Sequence, residues 1–151
     1  MMSLQKQVME AMKKAMKEKD ANALEALRSV KSAILMAQTE SGAKQELTEA
    51  EEVKLLQKQV KQRKDSAAIY KEQGREDLAA PELKQAAIIE GFLPEQMSNE
   101  EVAQVVDAII AETGASSMKD MGKVMGMANK KIAGQADGKT ISGIVKEKLS
   151  Q

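Results

Sequence analysis

Residues 92–101 read Phe-Leu-Pro-Glu-Gln-Met-Ser-Asn-Glu-Glu, and this stretch divides the chain. Pro94 has no N–H to donate and disfavours the helical conformation of the residue before it, so a helix running towards it must stop. Ser98 with Glu101 three residues on is a capping box, in which each side chain accepts from the other residue's backbone N–H. One helix therefore ends near Phe92 and another opens at Ser98.

Towards the C-terminus, Val102, Val105, Val106 and Ile109 recur at helical spacing, and Gly114 follows as a C-terminal stop near Thr113. Ser117 is placed to cap a sixth helix reaching about Ala133, closed by Gly134, and Asp137-Gly138 leads into a last helix ending near Leu149. Towards the N-terminus, the fourth helix is expected to be regular only from Pro81, since proline fits a first turn or a kink. Gly74 closes a third helix over about 49–73, opened by the capping box Thr48-Glu49-Ala50-Glu51 and striped by Val53, Leu56, Val60, Ala67 and Tyr70. Asp20 caps a second helix near 21–40, with Leu24, Leu27, Val30 and Ile34 inward and Ser41-Gly42 at its end. The first, near 3–18, carries Leu4, Val8, Ala11, Met12, Ala15 and Met16. No alternating run of β-branched and aromatic residues occurs. The expected fold is all-α, an N-terminal four-helix bundle over 1–94 followed by a three-helix bundle over 95–151.

Composition narrows the chemistry. The 151 residues are 42% apolar and 30% charged, a globular balance, and Lys+Arg equals Asp+Glu at 23 each, so no whole-molecule field advertises a partner. Cys and His are absent, which removes disulfides, thiol and imidazole catalysis and nearly every zinc site; no cofactor is expected. One Tyr, one Phe and no Trp leave little to stack on bases. The N-terminal segment is amphipathic, but it carries acids and lacks strong apolar anchors, so neither a targeting nor a membrane-surface segment is expected, and the cytoplasm is the default. Ser32 beside Lys31 and Ser66 near Lys64 are no dyad, because adjacent helix residues do not face each other. Arg28 and Arg63 are read on the inner stripes of the second and third helices. They are expected, with Arg75 and Asp77, to serve in structural ion pairs, Asp77 or Glu90 being the acids for the first two.

Charge layout is the informative feature. Residues 97–118 carry Glu100, Glu101, Asp107 and Glu112 and no base, whereas 119–148 carry Lys119, Lys123, Lys130, Lys131, Lys139, Lys146 and Lys148 against Asp120, Asp137 and Glu147. At about 100° per residue, Lys119, Lys123 and Lys130 share one face of the sixth helix and Met121, Met125, Ala128 and Ile132 the other. Lys139 and Lys146 form a second such row, opposite Ile141, Val145 and Leu149. Lysine rows suit phosphates, whose neutralisation releases counterions. Gly122 and Gly126 lie among them; helical glycine costs about 1 kcal/mol against Ala, and close helix–helix contact is the expected reason for both. No P-loop pattern is present.

Leu27-Arg28-Ser29-Val30-Lys31-Ser32-Ala33-Ile34, Arg63-Lys64-Asp65-Ser66, Gly74-Arg75-Glu76-Asp77-Leu78 and Phe92-Leu93-Pro94 together resemble the YqeY-like (GatB/YqeY) family. Met121-Gly122-Lys123-Val124-Met125-Gly126 with Gly134-Gln135-Ala136-Asp137-Gly138 resembles the tail that this family shares with the B subunit of glutamine-dependent tRNA amidotransferase. The resemblance spans essentially the whole chain; Pro81 and Gln85-Ala86-Ala87 depart from the usual fourth helix. It implies the same two bundles and a link to tRNA-dependent amidation, under a family label of carbon–nitrogen ligase activity with glutamine as amide donor. The chain itself has no room for an amidase nucleophile and its relay, a nucleotide site and a metal site. A non-catalytic tRNA-binding helper is expected, using Lys119, Lys123, Lys130, Lys131, Lys139 and Lys146, in association with an amidotransferase or other tRNA enzyme. The alternative is a helical protein-interaction adaptor; amidotransferase activity by this chain alone ranks last.

Overall fold

The computed structural model describes residues 3–40 and 46–150, and in it the chain is all-α. Its helices are α1 (Leu4–Glu18), α2 (Ala21–Glu40), α3 (Glu49–Glu72), α4 (Glu76–Glu90), α5 (Asn99–Thr113), α6 (Met121–Ile132) and α7 (Gly138–Leu149), with a 3-10 turn at Met118–Asp120 before α6. No strand occurs among the described residues. The chain divides into two compact units, Met1–Leu93 and Pro94–Gln151. The expected stop at Ser41-Gly42 lies outside the described residues.

The helix ends follow local chemistry. Ser3, Thr48, Ser98 and Asp137 each accept from a backbone N–H three residues on, satisfying one of the orphan donors of the first turn. Ser98 and Glu101 complete the reciprocal box. Asp20 caps α2 through Oδ1, which accepts from Ala23 N–H at 3.1 Å. At the end of α3, Gly74 takes φ +73°, Arg75 N–H donates to the Tyr70 carbonyl at 2.7 Å and Gly74 N–H to that of Lys71 at 3.0 Å. That is the paired Schellman arrangement, and glycine is the residue that enters the left-handed region without strain.

Two expectations are corrected. The fourth helix starts at Glu76, not at Pro81, and runs through the proline in its second turn. Proline there forfeits one N–H···O bond near the helix end, where few bonds are yet made, and α4 packs closely on α3 and α2, which offsets the loss. Ser117 caps a 3-10 turn rather than the α-helix itself; Asp120 accepts from the Ser116 and Ser117 N–H groups, closing that turn before α6 begins.

In the N-terminal unit α1 packs along α2, and α2, α3 and α4 pack on one another. Its core is Leu4, Val8, Ala15, Ala23, Ala26, Leu27, Val30, Ile34, Leu56, Val60, Ala86 and Ile89. Full burial of each large aliphatic side chain among these contributes about 1.5–3 kcal/mol. Gln85, 4% exposed, is a buried polar residue satisfied on both ends, its Oε1 accepting from Arg63 Nε and its Nε2 donating to Glu25. Gln59 Oε1 accepts from Arg63 Nη1 and the Ser29 hydroxyl, so one polar chain ties α2, α3 and α4. Glu52 near the start of α3 accepts from the Leu4 N–H; burial and then the Glu49 charge hold its carboxyl above the usual carboxylate range.

In the C-terminal unit α5, α6 and α7 pack pairwise around Val102, Val106, Ile109, Val124, Ala128, Ile132, Ile141, Val145 and Leu149. The segment after Pro94 is bound to the α6–α7 turn. Met97 N–H donates to the Gln135 carbonyl at 2.7 Å, Gln96 Nε2 to the Gly134 carbonyl at 2.9 Å, and Gln135 Nε2 to the Glu95 carbonyl at 3.2 Å.

Candidate nucleic-acid interface

The core line of α6, through Val124, Ala128 and Ile132, leaves Lys123 and Lys130 about 150° away on the solvent side. Lys119, expected on the same helical face, lies instead in the 3-10 turn before α6, where the 100° spacing of an α-helix does not apply; it is exposed as well. On α7, Ile141, Val145 and Leu149 point inward and Lys139 and Lys146 are exposed. None of these five lysines forms an ion pair among the described residues.

Lys131 differs. Its Nζ lies 3.5 Å from Glu112 of α5, and Lys148 of α7 lies 3.3 Å from Asp107, also on α5. These two pairs fix the azimuth of both helices. On α6 the flank carrying Lys131 turns to α5, so the opposite flank, beyond Met125, turns to α7; continuing outward, Asn129, Gly122 and Gly126 come next and then the Lys130/Lys123 ridge. On α7 the flank carrying Lys148 turns to α5, so Lys139 and Lys146, about 160–180° around from it, lie on the side towards α6. The outer surface of α6 and α7 is thus a seam of exposed Gly122, Gly126 and Asn129 between lysines on either helix.

The glycines do not serve helix packing. A Cβ built on Gly122 or Gly126 meets nothing within 4 Å, and the same holds for Gly143 in α7. The expected close helix–helix contact is absent because both positions face away from the Val124–Ala128–Ile132 line. What remains is exposed backbone on a helix surface, at a cost in helix propensity.

The outward side of α5 has the opposite sign, with Glu100, Glu101, Asp107 and Glu112 all exposed. Over residues 94–151 the acids outnumber the lysines by one. The cationic character therefore belongs to one side of the C-terminal unit and not to its total.

The arginines fall elsewhere. Arg75 and Asp77 form a two-pronged exposed pair, Nε to Oδ1 at 3.1 Å and Nη2 to Oδ2 at 3.0 Å, which raises the arginine's pKa and holds the Asp77 carboxyl below its usual range. Arg63 is half-buried but donates to Gln85 and Gln59, neutral amides, and not to Asp77 or Glu90. Glu90 is taken by Lys64 at 2.6 Å. Arg28 is exposed: the buried line through Ala23, Leu27, Val30 and Ile34 leaves it about 140° round the helix, off the inner stripe. The glutamine clasp at residues 96 and 135 carries no local sequence signal; of the Gln59–Arg63–Gln85 chain, the i, i+4 spacing of Gln59 and Arg63 and the polar Gln85 on an apolar stripe are the local signs.

The sequence model of the Yqey-like protein family matches residues 5–149. Over 75 residues the chain is 33% identical to the E subunit of a glutamyl-tRNA(Gln) amidotransferase from Thermococcus gammatolerans, covering 47% of this chain and 12% of that protein. Over 107 residues it is 36% identical to altered inheritance of mitochondria protein 41, mitochondrial, of Clavispora lusitaniae, covering 70% of this chain and 61% of that protein. The chain spans less than two thirds of the length of either relative.

Proposed function

This chain belongs to the YqeY-like family, and on that footing we propose that its C-terminal unit binds tRNA through the α6–α7 lysine seam, as a helper to an amidotransferase or other tRNA enzyme. The observation that carries the proposal is the layout of charge: Lys123, Lys130, Lys139 and Lys146 on α6 and α7, with Lys119 in the turn before α6, are exposed and form no ion pair among the described residues. Four of the unit's acids lie on α5, two of them holding Lys131 and Lys148, and Asp120, Asp137 and Glu147 are the acids among the lysines. Similarity to a component of a glutamyl-tRNA(Gln) amidotransferase supports tRNA as the nucleic acid. Lys119, Lys123, Lys130, Lys139 and Lys146 contact phosphates, with Lys131 contributing only when released from Glu112. The seam lacks aromatic and arginine side chains, so recognition is of backbone shape rather than base edges. Bare glycine backbone between the lysines allows the phosphodiester chain to approach the helix closely. No helix among the described residues is long and apolar enough to cross a membrane.

Filter binding of tRNA across a salt series tests this. The slope of log K against log salt is expected at roughly −0.7 to −0.9 per phosphate neutralised. Replacing Lys119, Lys123 and Lys130 by Gln flattens it by about two to three units, without loss of helicity. The matched triple Lys13, Lys17 and Lys54 to Gln, in the N-terminal unit, leaves it nearly unchanged. Equal loss from both triples, or no binding at low salt, refutes the seam as the contact surface.

A further inference from the structure

The N-terminal unit exposes a second, chemically different surface. Between α1 and α2 runs a groove lined by Gln5, Val8, Met9, Lys31, Ile34 and Leu35. Met9 and Leu35 on its walls are 49% and 48% exposed, and Met16, two turns along α1 from Met9, is 60% exposed. These side chains are not strays from the core. The α1 core line is Leu4, Val8 and Ala15, and Met9 and Met16 form a row of their own about 110° from it. Further round the same flank come Lys6, Lys13 and Lys17, and across the groove Lys31 and Arg28 border Leu35, all five exposed. None of them is ion-paired among the described residues. Glu10 is the one acid on this flank, at its outer edge.

We propose that this groove docks an acidic amphipathic helix of a partner protein. Such a helix lays apolar residues at i, i+3 or i+4, and i+7 into the groove, because Met9 and Met16 stand seven residues and about 10 Å apart along α1. Carboxylates on both edges of that stripe meet Lys6, Lys13 and Lys17 on one side and Arg28 and Lys31 on the other. Unbranched methionines re-pack around whichever apolar side chains arrive, which suits a surface that accepts a helix by pattern. An anionic membrane fits less well: the apolar strip is concave and narrow, and the only aromatic residues, Tyr70 and Phe92, are not on it. An RNA backbone would neutralise the cations but leave the Met9–Leu35–Met16 strip without an apolar partner. The surface is additional to the tRNA seam and uses none of its residues.

Selection of a displayed library of randomised helical peptides against the intact chain identifies the occupant's chemistry. The expected clones combine the i, i+3/i+4, i+7 apolar pattern with Asp and Glu on its edges. A synthetic peptide of the leading clone shifts the ε-methyl resonances of Met9 and Met16 and leaves that of Met118 in place. The triple variant Lys13→Glu, Arg28→Glu and Lys31→Glu weakens that peptide by at least about tenfold, as does Met9→Gln with Leu35→Gln. All five positions are exposed, and circular dichroism confirms that both variants stay helical. Neutral or basic clones, no clones, or binding indifferent to the charge reversal would overturn the proposal. So would flotation of the protein with vesicles of about 30% phosphatidylserine that the charge reversal abolishes, since the surface then reads a membrane.

Discussion

Replacing Gly122 and Gly126 by alanine should stabilise this protein and weaken its hold on tRNA. Both glycines are helical, neither has a positive φ, and an added methyl group meets nothing within 4 Å at either position. The folded state therefore accepts the substitution without strain, while the unfolded chain loses conformational freedom. An interior helical Gly→Ala is worth about 0.8–1 kcal/mol. Gly126 is interior to α6 and should return that full amount; Gly122 is the second residue of the helix, where fewer dihedrals are constrained, and should return about half. The pair then contributes about 1.5 kcal/mol, and for a unit of this size 1 kcal/mol moves the melting temperature by about 4–8 °C. A rise of roughly 6–12 °C in the C-terminal transition is expected by calorimetry. At the same time two methyl groups stand on the seam between the lysine rows and hold the phosphate backbone off the helix. Affinity for tRNA at fixed salt should fall several-fold with the salt slope kept, because no charge is removed. Destabilisation of the double variant would mean that the glycines pack against something the open geometry denies. Stabilisation with unchanged tRNA affinity would remove the seam from the contact surface.

Other perturbations separate the remaining interactions. Glu52→Gln keeps the acceptor for the Leu4 N–H and removes a carboxylate whose pKa is raised by burial and by Glu49. A raised acid destabilises the fold above its folded pKa and not below its unfolded one, so the variant should melt higher at neutral pH and lose that advantage as the pH falls towards about 4.5; an advantage that grows on acidification would show the sign to be wrong. Arg63→Ala leaves the buried Gln85 Oε1 short of its donor and should cost about 1–3 kcal/mol by urea unfolding. Lys64→Ala, which removes only the mostly exposed pair with Glu90, should cost under about 1 kcal/mol, and equal losses would contradict the contrast. If Met1–Leu93 and Pro94–Gln151 fold as separate domains, brief proteolysis should cut between Gly91 and Glu95, before the clasp of Gln96, Met97 and Gln135, and the C-terminal fragment should stay helical with modest stability; resistance there would show one cooperative body.

The elements of this fold are legible in its sequence because they are set by neighbours three or four residues apart. Ser98 with Glu101, Thr48, Asp20 and Asp137 announce their helices, and Gly74 ends one, through bonds that involve no distant residue. The apolar rows of α5, α6 and α7 come from the same short-range periodicity, and with them the outward placement of Lys123, Lys130, Lys139 and Lys146. The start of α4 escaped because proline's local penalty was outweighed by packing on α2 and α3, which no local pattern records. Arg63 likewise sits on a half-buried stripe, as its spacing implies, but it pairs with no acid: its partners are two amides, Gln59 one turn back on α3 and Gln85 across the bundle on α4. Whether a given lysine is available also depends on azimuth: Lys130 and Lys131 are adjacent in sequence, yet the rotation of α6 against α5 gives Glu112 to Lys131 and solvent to Lys130. The same rotation turns Gly122 and Gly126 out of the helix contacts that their composition suggested. Sequence alone determined the helices, most of their ends and most of the faces that must be buried, all local and steric in origin; tertiary structure decided where α4 begins, which exposed charges are neutralised and which backbone is left bare, because those depend on how one helix packs on and is turned towards another.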